Sequence, residues 1–277
     1  MDNVAHSPID LERNATWDAE SKDLYYTSRQ GPWTATSPVS IAFLPLSNYT
    51  NKTEVLIDAY SAQSPSQHLR VDTDPTIIEG YSRHKQVLLS HLATAKTAAI
   101  EFMWLGGGSR QIQMPFNAAV AHPFSRGFVE INTTDPLAPP VVDLRTGSNP
   151  VDIDLCIEAF KFGRRVVQTA AIQRLVPTEL APGLMIQSDD ELRTYIKSNA
   201  STMFHPSGTA AMQPREFGGV VDCDLRVYGI TNLRIVDASI MPLIPATHLQ
   251  ATVYAVAEKV PYPLPPKSVG VAADENR

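Results

Sequence analysis

A chain of 277 residues that is 43% hydrophobic carries enough apolar material for one large or two ordinary domains with a buried core. Its 23 Lys and Arg against 29 Asp and Glu leave a net charge of −6, and no basic stripe or polybasic patch marks a nucleic-acid or membrane partner, so neither is expected. The longest apolar runs, such as AAIEFMWL at 98–105, fall far short of the roughly 20 residues a bilayer span needs, and a soluble protein is expected.

The opening MDNVAHSPIDLERN has neither the positive nor the apolar region of a secretory signal. That points to the cytoplasm, although N-x-S/T sequons at Asn14, Asn48, Asn51, Asn132 and Asn199 suit secreted ancestry. Residues 1–40 are polar, broken by GPWTATSP, and read as irregular. From there short β-branched and aromatic pieces bounded by turn residues read as strands: IAFLPL (41–46), VLIDAYS (55–61), AIEFMWL (99–105) and GFVEI (127–131).

Between them, residues 74–93 place a proline after the N-cap candidate Asp74 and repeat apolar residues at helical intervals. A second helix is expected over 152–169. A third opens at Ser188, where Ser188 and Glu191 have capping-box spacing. GGGS at 106–109 lacks the Gly-Lys-Ser/Thr of a phosphate loop and reads as a hairpin connection. Cys156 and Cys223, without a CxxC or a histidine cluster, read as buried apolar residues rather than a disulfide or zinc site. The fold class is α+β, an antiparallel sheet with flanking helices.

The stretch from 201 to 260 is the most informative. Leu233–Val236 is a short strand-like run, Asp237-Ala238-Ser239 breaks it, and Ala251 to Val260 is helix-forming, with His248 in the loop between. His205, in FHPSGTAAM, lies 43 positions earlier. Each histidine taken alone is satisfied by an ordinary reading as a turn residue bonded to a nearby carbonyl.

Taken together, HPSGTAAM and VVDCDLRVYGITNLRIVDAS resemble the C-terminal signature of the glucose-methanol-choline (GMC) family of flavin oxidoreductases, and GPWTATSPVSIAFLPL and HPFSRGFVEINTTDPLAPPVVD resemble its substrate-domain segments. The resemblance implies an irregular N-terminal segment (1–19), a substrate-binding domain (20–200), the C-terminal strand-loop-helix part of the FAD domain (201–262) and a flexible tail (263–277). It makes His205 the catalytic base and His248 the second active-site histidine, in an FAD-dependent oxidation of a small-molecule alcohol. Asp237 and Ala238 match residues that pack beside the flavin, and Leu249 and Gln250 residues under its ring end. A histidine suits the base because it titrates near neutrality and can take up and return a proton. Aromatics of the 99–131 sheet, such as Phe102 and Trp104, are expected to line the substrate pocket.

The family's Gly-x-Gly-x-x-Gly turn for the flavin pyrophosphate does not occur in these residues. A second chain supplying that half, or a homo-oligomer, is therefore expected to cover the exposed apolar surface. The alternative is a flavin-free acid-base enzyme, such as an isomerase, dehydratase or cyclase, or an inactive remnant.

Overall fold

The computed structural model describes residues 10–34, 40–104 and 115–259. The GGGS stretch and the 263–277 tail lie outside them. The chain opens with helices α1 (Asp10–Arg13) and α2 (Ala15–Ser28), where an irregular segment was expected. Asn14 caps α2, its side chain accepting from the Trp17 amide at 3.0 Å. Trp33 folds back over the helix and donates from Nε1 to Asp18 at 2.8 Å.

Three antiparallel strands follow in chain and spatial order: β1 (Ser40–Leu44), β2 (Ile100–Trp104) and β3 (Phe116–Val120). Between β1 and β2 lie α3 (Leu46–Tyr49), α4 (Thr53–Ser61) and α5 (Pro75–Ala93). The 55–61 run is thus helical rather than a strand. Leu56, Ile57 and Tyr60 pack on the core while Val55, Asp58 and Ala59 stay exposed, the 3.6-residue period of a helix face. Helix α5 begins as its sequence demands, with Asp74 accepting from the Thr76 amide at 2.8 Å and proline in the first turn.

A two-stranded ribbon, β4 (Phe128–Glu130) with β5 (Val141–Asp143), precedes α6 (Pro150–Val167), the short α7 (Ala170–Gln173) and α8 (Asp189–Asn199). Helix α6 is buried on two sides. Val151, Leu155 and Ala159 face the sheet core, whereas Ile153 and Ile157 meet Leu192 of α8. Between these two clusters Glu158 bonds Thr50 and Lys52, and Lys161 bridges Glu158 to Asp189 at the start of α8. The Ser188–Glu191 capping box is formed from both sides.

The main core packs one sheet face, with Ile100, Phe102, Leu44, Phe116 and Val120, against Leu88 and Leu92 of α5 and α6. Phe102 is 3% exposed and stacks on Phe116, which Trp104 meets edge-on. Strand alternation sends both expected pocket aromatics to the core side, so they do not line the face that carries Glu101.

Residues 204–248 form a second, smaller core around Val221, Leu225, Ile240 and Met241, closed by Leu249 of helix α9 (Leu249–Lys259). The expected strand at Leu233–Val236 is reduced to a bridge: the Val227 amide donates to Leu233 O and the Ile235 amide to Leu225 O, both at 3.1 Å. Asp222 turns the chain immediately before, its carboxylate accepting from the amides of Asp224 and Arg226, which leaves room for a narrow hairpin. Both cysteines are free. Cys223 is exposed rather than buried, and burial pushes the Cys156 thiol up to about 12.

Candidate active site

The segment carrying His205 is held as a strap. The amides of Gly208, Ala210 and Met212 donate to the carbonyls of Ala238, Ser239 and Ile240 at 3.3, 2.9 and 2.8 Å. Gly208 has φ +85°, a conformation glycine adopts without Cβ penalty, and a Cβ there would lie 3.0 Å from Met241 O. Downstream, Gln213 pins the strap to α5. It donates to Phe217 O at 2.6 Å, and its Oε1 accepts from His84 Nε2 at 2.9 Å. Gly80 of α5 permits this approach, since a Cβ there would stand 2.1 Å from Phe217 O.

The loop carrying His248 is anchored separately. Asp152, buried at the start of α6, accepts from the amides of Phe124 and Ser125 at 2.7 and 2.8 Å and so fixes the turn after β3. In that turn His122 donates from Nδ1 to Ile244 O at 2.8 Å. Burial, followed by the His91 ring 4.9 Å away, pushes the His122 imidazole down and favours the neutral donor form.

These two anchors bring the sequence-distant histidines together, with ring centroids of His205 and His248 5.6 Å apart. His248 does not stand alone. Its Nε2 is 2.7 Å from Oε1 of Glu101, a residue of β2 whose side chain is 9% exposed. A carboxylate oxygen only accepts, so Nε2 of His248 carries the hydrogen and the tautomer of the ring is set by the sheet. Glu101 escaped the sequence reading. The available signal was one charged residue inside an otherwise apolar strand, which needs a partner when buried.

Of the four residues matched to flavin contacts, Leu249 and Gln250 follow His248 directly and Ala238 bonds the strap that carries His205. Leu249 is 5% exposed and packs in the second core, Gln250 is exposed on the first turn of α9, and Ala238 belongs to the strap's hydrogen-bond ladder. Asp237 turns inward on its own chain, accepting from the Ser239 amide at 2.8 Å and from the Ser239 hydroxyl at 2.5 Å. Its carboxylate thus shapes the strap. Among the described residues no group of three or more His, Cys, Asp or Glu is placed to hold a metal, and no helix is long and apolar enough to cross a membrane.

The chain is similar in sequence and fold to known proteins. Residues 123–257 match the sequence profile of GMC oxidoreductases. The dehydrogenase xptC of Emericella nidulans is 34% identical over 251 residues, covering 89% of this chain and 39% of that protein. An FAD-dependent oxidoreductase from Chaetomium thermophilum superposes with a TM-score of 0.84 at 31% identity, covering 93% of this chain and 44% of that one. A fungal aryl-alcohol oxidase gives 0.82 at 37% identity, covering 91% and 43%. The chain spans about two fifths of the length of these relatives.

Proposed function

From the premise that this chain belongs to the GMC oxidoreductase family and corresponds to its C-terminal region, we propose that it supplies the proton-handling side of an FAD-dependent alcohol oxidation. The observation that carries the proposal is the His205–His248 pair, 5.6 Å between ring centroids, with His248 held by Glu101 at 2.7 Å.

His205 takes the hydroxyl proton as general base while a hydride leaves the same carbon, so the alcohol becomes a carbonyl compound with loss of two hydrogens. His248, whose Nε2 hydrogen is committed to Glu101, donates from Nδ1 to the same oxygen in its doubly protonated form as negative charge develops. Glu101 acts through His248 as a positioning residue: it fixes the tautomer and, as a carboxylate, stabilises the ring while it carries positive charge.

The residues present fit a flavin beside this pair. Helix α9 opens directly after His248, and its first-turn amides, which have no intrahelical partner, and the exposed Gln250 offer donors of the kind flavin carbonyls require. Bound there, FAD supplies the hydride acceptor. Its pyrophosphate contacts are assigned to polypeptide other than these 277 residues, which would also cover the outer face of α9, where Tyr254 is 65% exposed. Steady-state oxidation of benzyl alcohol by the flavin-bearing protein tests the reading. His205→Ala should lower kcat by ~10²-fold or more, and a variant within about threefold of the parent contradicts the assignment of His205 as base.

A further inference from the structure

The backbone that carries His205 is nearly free of hydrogen bonds. Helix α8 ends with the Ala200 amide donating to Ile196 O at 2.7 Å, and the ladder on residues 238–240 starts only at Gly208. Across residues 201–207 the backbone makes one hydrogen bond among the described residues: the Phe204 amide donates to Oγ1 of Thr202 at 2.9 Å. Phe204 has φ +58°, in the left-handed region that a residue with a Cβ enters at a cost. Its ring is 83% exposed, so packing among the described residues does not hold it there. A threonine hydroxyl accepting from the amide two residues on closes a local turn of the kind that serine and asparagine side chains also close.

This turn stands immediately before the base. On the other side of His205, Pro206 disfavours helical backbone at the residue it follows. With that side restricted, the conformation of Phe204 sets the direction in which the His205 side chain leaves the backbone. Among the described residues the His205 ring has no hydrogen bond of its own, and its ring contact is His248, 5.6 Å away between centroids. We propose that Thr202 is a positioning residue for His205: its hydroxyl holds Phe204 left-handed and so turns the His205 ring toward His248. The inference rests on the reading of His205 as general base and extends it to the group that aims the base. Each histidine of the pair then has its own orienting residue, Glu101 acting on the ring of His248 and Thr202 on the backbone before His205.

The test replaces Thr202, which is half-buried, by Ser, Asn, Val and Ala in the protein completed by the polypeptide that supplies the pyrophosphate contacts. Serine keeps the hydroxyl and asparagine offers a carbonyl oxygen to the same amide. Valine copies the shape of threonine without an acceptor, and alanine has neither shape nor acceptor. NMR is recorded before FAD is added, with only the 277-residue chain isotope-labelled. A positive φ at Phe204 gives a strong cross-peak between its own amide and Hα protons, and ring-to-ring cross-peaks report the approach of His205 to His248. Both signals should persist in Thr202→Ser and Thr202→Asn and weaken by about threefold or more in Thr202→Val and Thr202→Ala, as loss of one hydrogen bond shifts a local equilibrium. After FAD loading, Thr202→Val and Thr202→Ala should lower kcat for benzyl alcohol by about fivefold or more with KM little changed, because a misaimed base costs rate rather than binding. Thr202→Ser and Thr202→Asn should stay within about twofold of the parent, and far-UV circular dichroism checks that every variant is folded.

A packing role predicts the opposite order, with Val nearest to the parent and Asn furthest from it. The inference is overturned if Thr202→Val and Thr202→Ala keep both signals, if the variants rank by shape rather than by acceptor, or if Phe204 relaxes while the ring-to-ring cross-peaks and kcat stay at parent values. A parent that oxidises no alcohol, or a His205→Ala variant with parent turnover, removes the reading of His205 as base; the NMR pattern then still decides whether Thr202 aims that ring.

Discussion

Glu158→Gln probes the polar junction on which α6, α8 and the α3–α4 connection converge. Glu158 is 6% exposed and accepts from Thr50 at 2.7 Å, Lys52 at 2.8 Å and Lys161 at 3.1 Å. Burial alone would push its carboxyl up, but the hydrogen bonds from Lys52, Thr50 and Lys161 outweigh burial and hold it down at about 2, from an ordinary value of 4.5. A depression of that size corresponds to about 3 kcal/mol of native-state stability at neutral pH. The sign follows from the direction. A carboxyl depressed in the folded state stabilises fully above 4.5 and loses that contribution as pH falls toward 2.

Lys52 is 46% exposed and can return to water, and Lys161 keeps Asp189. The cost of Glu158→Gln is therefore placed at about 2–3 kcal/mol, below the usual range for breaking a buried ion pair. Urea unfolding of parent and variant, followed by circular dichroism at pH 7, pH 5 and pH 3, reads this directly. The gap should hold between pH 7 and 5 and fall to less than about half by pH 3. A gap below about 0.5 kcal/mol at pH 7, or one that does not change down to pH 3, refutes the reasoning.

Substitutions at two further positions separate the core face of the sheet from its functional face. Phe102→Ala should cost about 3–5 kcal/mol, because it empties a 3%-exposed site stacked on Phe116; a thermal melt reads it, and a near-neutral result with altered alcohol selectivity would return Phe102 to the pocket. Glu101→Gln should lower kcat by about tenfold with KM little changed, since a charge-assisted bond is replaced by a neutral one, and Glu101→Leu should lower it further. The nitrogen-15 resonances of the His248 ring should move in both variants, and unchanged resonances would show that Glu101 does not set its tautomer.

The sequence revealed elements whose start signals are local. Pro75 behind Asp74 and the Ser188–Glu191 box each mark a helix with groups a few residues apart, and both form as expected; the helix expected over 152–169 runs from Pro150 to Val167, its Asn149 cap not having been read. VLIDAYS did not declare itself, because a seven-residue apolar run fits a strand or a helix, and packing of Tyr60 on Phe124 and Leu56 on the core decides. Helix α2 was missed for the opposite reason. ATWDAESKDLYYTS has little apolar face, and the helix rests on the Asn14 cap and on Trp33 folding back onto Asp18 and Tyr25.

For the site, long motifs located both histidines, while the partner of one remained hidden. Glu101 and His248 are 147 positions apart, and only the β1–β2–β3 register reveals which side of the strand Glu101 occupies. The same register moves Phe102 and Trp104 away from the site, a result that the parity of positions 101, 102 and 104 already encodes once the strand is accepted.

The most direct test of the central claim is the absorption spectrum of the purified protein, completed by the polypeptide that supplies the pyrophosphate contacts and loaded with FAD, under anaerobic conditions, recorded before and after addition of benzyl alcohol, for the parent and His205→Ala. The account predicts a flavin band that stays with the protein through desalting and bleaches on alcohol addition, and bleaching slower by ~10²-fold or more in the variant. A protein that retains no flavin, or a flavin reduced at the same rate with and without His205, would contradict it.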